Sequence, residues 1–476
     1  MYHVVLLFAK VLLMQCLNYS KRDCVTSLIL LASAGVLFIW TLPGTIALRH
    51  IFLITGFIAG LFFLKDYLAI IFCRAAWPLL LFLSFYLWLL IHLLFFSSNF
   101  NLQISELLHV WMRCLLGIPL GLALGLLMIG TEASENAHSQ LNYWLHISKS
   151  DINILVLLIG LSGVAIIGFG RYIFEVLNTN LLFHYDVLFI LYKAKQPFVI
   201  CAALVLPMAF ILLLDAINHK RRALWIAISL SIIFLNLFTI YFSNAKNGII
   251  IFIICLILFL YNLLSKLNLN NIILPFLISL LIFCVSYFTI SKHIQANGAW
   301  NSLITDVKYG LDIDRYDYWK DVSVYSAPID QSGKKIDQSG YLRAAWFKAG
   351  ILLLKDNPAG YGLLHHSFGA LAIIKYPDFT KPIENLRGAT HSGWLDLGLG
   401  VGIPGLLLVL IPLFIIWKRS ILKPNNLLCA YISWAIPVLV FAYLIDEVGD
   451  SHFTEILFFM TAFFCGITLL PKKIKS

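Results

Sequence analysis

Stretches of about 20 predominantly apolar residues recur along nearly the whole chain, and no other feature limits its fold so strongly. A helix crosses a hydrocarbon layer about 30 Å thick in roughly 20 residues, and in lipid every backbone amide must be paired within its own segment. Such stretches run near 25–40, 45–64, 77–96, 107–129, 152–170, 198–214, 223–242, 248–264, 272–290, 399–417, 427–445 and 453–470. Composition agrees, with 61% of residues hydrophobic and 12% charged, against roughly 25% charged in an ordinary soluble domain. The expected fold class is an all-α polytopic membrane protein with about twelve transmembrane helices and one large loop between the ninth and the tenth. Ahead of the first stretch, Val4 to Asn18 is apolar but carries Lys10. It reads as an interfacial helix and not as a signal peptide.

Lys and Arg accumulate in short cytoplasmic loops, so their distribution predicts orientation. With the N-terminus inside, the cytoplasmic pieces hold Lys10, Lys21, Arg22, Lys65, Arg74, Lys149, Lys220, Arg221, Arg222, Lys266, Lys418, Arg419, Lys423, Lys472, Lys473 and Lys475, whereas the short external loops hold Arg171, Lys193, Lys195 and Lys246. Both termini are therefore expected in the cytoplasm. The net charge of +10 is then mostly topology, and no nucleic-acid partner is needed to explain it.

Three parts follow: an N-terminal bundle over 1–290, a hydrophilic loop over 291–398, and C-terminal helices over 399–476. The loop is expected outside, in the periplasm. It carries Lys and Arg in nearly equal number with Asp and Glu, and it holds none of the nine cysteines. Within it, Tyr341 to Leu354 and Leu363 to Ile374 have helical apolar patterns too short to span a bilayer, the first ended by Asp356-Asn357-Pro358 because proline and its predecessor resist helix. They are expected to lie on the bundle as a lid. Cysteine spacing offers neither a disulfide framework nor a metal motif.

The residues that carry chemistry gather around this loop. His391 stands just before a membrane stretch, in His391-Ser-Gly-Trp-Leu-Asp-Leu-Gly-Leu-Gly-Val-Gly402-Ile-Pro-Gly405-Leu406. An imidazole at the edge of the membrane is able to take a proton from a sugar hydroxyl near neutral pH, while the bland alternative is a histidine that anchors a helix end. Gly398 and Gly402, one turn apart, predict a flat helix face for close packing. Arg343 lies in Ser339-Gly-Tyr-Leu-Arg-Ala-Ala-Trp, followed by Asn357-Pro-Ala-Gly-Tyr-Gly362, and Lys246 lies in Asn244-Ala-Lys-Asn-Gly248. The bland reading of Arg343 is a salt bridge to a loop acid, and of Lys246 a snorkelling lysine. Asp446, Glu447, Asp450 and His452 form a dense polar cluster after the eleventh stretch. Arg49 is expected to snorkel, and Arg113 to pair with Glu106 or to face a ligand headgroup. Of His365 and His366, adjacent on a short helix, at most one is functional.

The pattern His391, Leu395, Gly402, Gly405 and Leu406, with Arg343 in the loop, resembles the signature of the O-antigen ligase and polymerase superfamily, and the resemblance extends to the helix count and the loop's position. It implies a Gram-negative inner-membrane glycosyltransferase that moves a glycan from an undecaprenyl diphosphate carrier to lipid A-core, by inversion and with no metal or other cofactor. His391 would be the catalytic base, and Arg343, Lys246 and Lys195 would hold the donor diphosphate. By their own chemistry, and not through the resemblance, Asp446, Glu447 and Asp450 would either support the acceptor sugar or counterbalance the cations. Lys246 departs from the family, which carries arginine there; a lysine keeps the charge and loses the bidentate fork. The polymerase and the protein-glycosylating relatives share these residues. A metal-dependent oligosaccharyltransferase would want an acid in the first external loop, which here reads Thr41-Leu-Pro-Gly44. A flippase would show internal repeats and midplane polar sites, and the sequence has no evident repeat.

Overall fold

The computed structural model describes residues 21–135, 148–179, 194–218, 223–265, 273–364, 367–376, 378–379, 388–424, 426–446 and 451–469. The apolar stretches form long helices: α1 (Lys21–Ile39), α2 (Ile46–Leu64), α3 (Trp77–Phe95), α4 (Phe100–Glu106), α5 (Met112–Glu135), α6 (Lys149–Leu161), α7 (Gly163–Thr179), α8 (Gln196–Asn218), α9 (Ala223–Phe242), α10 (Lys246–Ser265) and α11 (Ile273–Ala296). Then come α12 (Ala299–Gly310), α13 (Gln338–Asp356), α14 (Ser367–Lys375), α15 (Gly393–Ile421), α16 (Leu427–Ile445) and α17 (Ser451–Leu469). A π-helical turn, Leu107–Trp111, joins α4 to α5. No strand occurs among the described residues; the one β contact is an isolated bridge between Ile329 and Lys335.

Eleven helices are long and apolar enough to cross a membrane, or twelve if α6 and α7 count as one span. The single span expected over 152–170 is in fact this pair, bent by 56°. The chain bends there against α1, where a Cβ on Gly160 would meet the Ala34 backbone at 2.8 Å and one on Gly163 would overlap the Phe38 carbonyl. The polytopic all-helical fold is as the sequence predicts.

Two helices form the axes of the bundle. The apolar window of α8 is wholly buried, wrapped by α9, α10 and α16, while α17 is buried over 94% of its window, mainly against α5. The α5–α17 contact is close because its surfaces are small: a Cβ on Gly121 would overlap the Phe459 carbonyl, and one on Gly466 would meet the Leu122 oxygen at 2.5 Å. Without water to drive helix association, such backbone approach supplies the dispersion contact that holds membrane helices together.

At one end of the bundle α12, α13 and α14 form a cap with its own core of Ile313, Trp319, Ile336, Tyr341, Trp346, Phe368 and Phe379, which continues onto Leu399 of α15. Asp337 N-caps α13 by accepting from Ser339 N at 3.0 Å. Asn357 and Pro358 end that helix where the sequence predicts.

Candidate functional site

A break in α15 organises the site. Gly402 has φ 74 and ψ 173, values open to glycine and strained for any residue with a Cβ. The helix therefore stops hydrogen-bonding to itself: Ile403 N–H, which a regular helix would direct to Leu399 O, donates to Pro358 O at 2.8 Å. Pro404 has no N–H for Gly400 O. The two carbonyls so released accept from the cap instead, Leu399 O from Tyr361 N and Gly400 O from Gly362 N, both at 2.7 Å. Gly360 (φ 88) and Gly362 (φ 101) give that segment its shape. From the bundle side Trp88 Nε1 donates to Val401 O at 2.6 Å and Glu106 Oε1 accepts from Leu364 N at 2.7 Å. The expected flat face through Gly398 and Gly402 is thus corrected, since Gly402 ends a short half-helix of α15 and does not continue the surface of a long one.

That half-helix carries the candidate histidine at its start. His391 is in the left-handed region with φ 57, a conformation that costs a non-glycine residue of order 1–3 kcal/mol. Its ring stacks on Trp346, with centroids 5.3 Å apart and planes at 14°. Arg343, Trp346 and Gly350 are spaced i, i+3, i+7 and share one face of α13. Gly350 is the point of closest approach: a Cβ there would stand 2.7 Å from Thr390 Cγ2. The start of α15 is also tied to α16, through Gly393 N to Asp446 O at 3.0 Å and Trp394 Nε1 to Val440 O at 2.8 Å.

The candidate cations come together beside this face. Lys246 opens α10, and the charges near enough to act on it belong to Asp337, Arg343, Lys195 and Asp306. Asn244, with φ 51, turns the chain into α10; its carbonyl accepts from Lys195 Nζ at 3.3 Å, and its side-chain oxygen accepts from Asn297 Nδ2 at 2.8 Å. Asn247 Nδ2 donates to Ile445 O at 2.9 Å and to Asp446 Oδ2 at 3.2 Å. The buried Asp446 therefore links the start of α10 to the start of α15. Among the described residues neither Arg343 nor Lys246 forms an ion pair, so Arg343 is not occupied by an acid of the cap. Asp306 is fully buried and accepts from Asp337 N at 3.0 Å.

Other candidates part company with the sequence reading. Glu447, Asp450, Lys193, His365 and His366 lie outside the described residues. Arg113 does not pair with Glu106, which serves Leu364; its Nε meets Glu455 Oε1 on α17 at 2.9 Å. Arg49 does not snorkel: it is 5% exposed, donates to Trp40 O at 2.8 Å and reaches His452 Nδ1 at 2.7 Å. In the lower dielectric of the bundle's interior an internal partner outweighs the path to water. Arg171 pairs with Glu175 one turn along α7. Among the described residues no group of three His, Cys, Asp or Glu side chains comes together as a metal site.

Sequence reasoning passed over Asn247, Trp346 and Glu455. Glu455 had a visible signal, an acid within an apolar helix stretch. Asn247 and Trp346 had none, because Asn247 acts through Ile445 and Asp446, 198 and 199 residues further along the chain, and Trp346 through His391 at the start of α15.

No curated protein matches the chain. Residues 231–410, which include Lys246, Arg343 and His391 and run from α9 through the cap into α15, match the family described as O-antigen ligase. The central part of the chain is thus similar to the O-antigen ligase family.

Proposed function

We propose that the protein is an inverting, metal-independent glycosyltransferase that moves a glycan from undecaprenyl diphosphate to lipid A-core, at the periplasmic face of a Gram-negative inner membrane. The observation that carries this reading is a pair of cations with no ion pair among the described residues: Arg343, one turn before Trp346 of the Trp346–His391 stack, and Lys246, whose charge acts on that of Arg343. His391 takes the proton from the acceptor hydroxyl. The hydroxyl oxygen then attacks the anomeric carbon, and the bond from that carbon to the diphosphate oxygen breaks. The departing diphosphate gains negative charge as the bond lengthens, so fixed cations beside it stabilise the transition state more than the ground state. Arg343, Lys246 and Lys195 supply that charge. Asp446, with Glu447 and Asp450 after it, supports the acceptor, and surrounding membrane lipids hold both substrates' tails in place.

Purified protein in lipid nanodiscs, supplied with an undecaprenyl diphosphate glycan and offered lipid A-core, a second lipid-linked glycan or a protein as acceptor, tests this. Glycosylated lipid A-core is the expected product, formed also in excess chelator. Elongated lipid-linked glycan alone would make the protein a polymerase, and no transfer to any acceptor would overturn the reading.

A further inference from the structure

Asp396 sits in the first turn of the α15 half-helix, 3% exposed. A buried carboxylate at the start of a helix ordinarily caps the helix's own free amides. This one turns the other way. Its Oδ1 accepts from both Thr390 N and Thr390 Oγ1, each at 2.8 Å, so it binds the residue before His391. The Thr390 hydroxyl, which lies nearer Asp396 Oδ1 than Ser392 O at 3.1 Å, also accepts from Ser392 N at 3.2 Å. The backbone on both sides of His391 is thereby fastened to one carboxylate oxygen, across the residue held at φ 57. The Thr390 methyl meanwhile fills the space that the missing side chain of Gly350 leaves on α13.

We infer that Asp396, acting through Thr390, is a positioning residue that fixes the imidazole of His391 against Trp346 and toward the acceptor. The inference deepens the proposed function and rests on His391 being its base. Burying a carboxylate costs free energy unless its hydrogen bonds are made. Here two of them go to Thr390, in the turn that sets the direction of His391. Displacing a reacting group by about 1 Å is enough to lose roughly 10²-fold in rate.

Full-length protein in nanodiscs tests this with Thr390→Val, Thr390→Ser, Asp396→Ala and Asp396→Asn. Thr390→Val keeps the shape and the methyl beside Gly350 and removes the hydroxyl; Thr390→Ser keeps the hydroxyl. Transfer by Thr390→Val and Asp396→Ala should fall about 10²-fold in kcat, with the donor KM within about twofold of wild type. Thr390→Ser should stay near wild type, and Asp396→Asn, which keeps an acceptor oxygen, should lie between. Diethylpyrocarbonate should modify residue 391 several-fold faster in Thr390→Val and Asp396→Ala, measured by peptide mass spectrometry. That rate reports on the ring's restraint without relying on catalysis. Wild-type transfer by His391→Ala would remove the base and leave the modification rates to judge the clasp alone. The inference is overturned if Thr390→Val shows wild-type kcat and wild-type modification, or if Thr390→Ser loses as much as Thr390→Val. Should Asp396→Ala fail to insert, the Thr390 pair decides.

Discussion

His391, Arg343 and Lys246 do different chemical work in the proposed reaction, so their substitutions should separate. His391→Ala removes the proton acceptor and leaves the cations, so transfer should fall by about 10²–10⁴-fold while binding of the lipid-linked donor persists. Wild-type transfer from normally abundant His391→Ala protein would leave the histidine a helix anchor. Lys246→Arg should retain transfer, since the fork reaches a phosphate at least as well as an ammonium does; Lys246→Ala should weaken donor binding by one charge-assisted contact, read as a raised donor KM. Arg343→Lys tests the planar fork, and a loss of transfer despite preserved charge is expected. At this scale the sequence carried a good deal. A histidine at a membrane edge and cations outside it are visible as residues out of keeping with their surroundings, and the structure brings Lys195, Lys246 and Arg343 to one place. The clasp on Thr390 was not legible, because an aspartate at the start of a helix reads as an ordinary cap until its partner is known.

Helices were the easiest elements to predict and their interruptions the hardest. Hydropathy fixes where a span lies, because the bilayer requires it, but a break such as that at Gly402 depends on donors from elsewhere in the chain. Pro404 marked the loss of one hydrogen bond, yet only the cap's Tyr361 and Gly362 amides show how the released carbonyls are satisfied. The two sides should fail together. Gly402→Ala places a Cβ into the Ala359 carbonyl at a positive φ, and Gly360→Ala meets Gly400 O at 2.9 Å. Each should lower thermal stability in detergent and reduce transfer, whereas Gly333→Ala, also at positive φ but with open space around it, should cost only the conformational term of order 1 kcal/mol. Equal effects at Gly333 and Gly402 would mean that the interlock adds nothing. The Arg113–Glu455 pair makes a separate prediction about α5 and α17. Glu455→Ala leaves Arg113 and the nearby Arg49 without a compensating charge and should destabilise by about 3–5 kcal/mol, while replacing Arg113 and Glu455 together by Met should recover most of that loss.

For the molecule as a whole, the proposed chemistry depends on which side of the membrane the cap occupies. Lys246 at the start of α10, Asp446 after the end of α16, and the start of α15 meet at the cap end of the bundle through Asn247 and Gly393. One orientation therefore decides the side for all of them, and for His391 and Arg343 with them. Membrane crossing puts Lys and Arg preferentially in cytoplasmic loops. The sixteen cations assigned inside above, against four outside, predict a periplasmic cap, which is the orientation that the proposed lipid-linked donor requires. A cysteine at Ser332 tests the orientation with little disturbance, since Ser332 is exposed at the tip of a turn and its side chain bonds to Asp330 of the same turn. Compared with unmodified protein, whose Cys284 is also exposed on α11, Ser332→Cys should gain labelling by a membrane-impermeant maleimide added from the periplasmic side. Its labelling should not require access to the cytoplasm. The opposite pattern, labelling only in inverted vesicles, would put the histidine and both cations on the cytoplasmic face. The same residues would then have to meet a cytoplasmic donor, and the assignment to a lipid-linked glycan delivered outside would fall even if the geometry around His391 were correct in every contact.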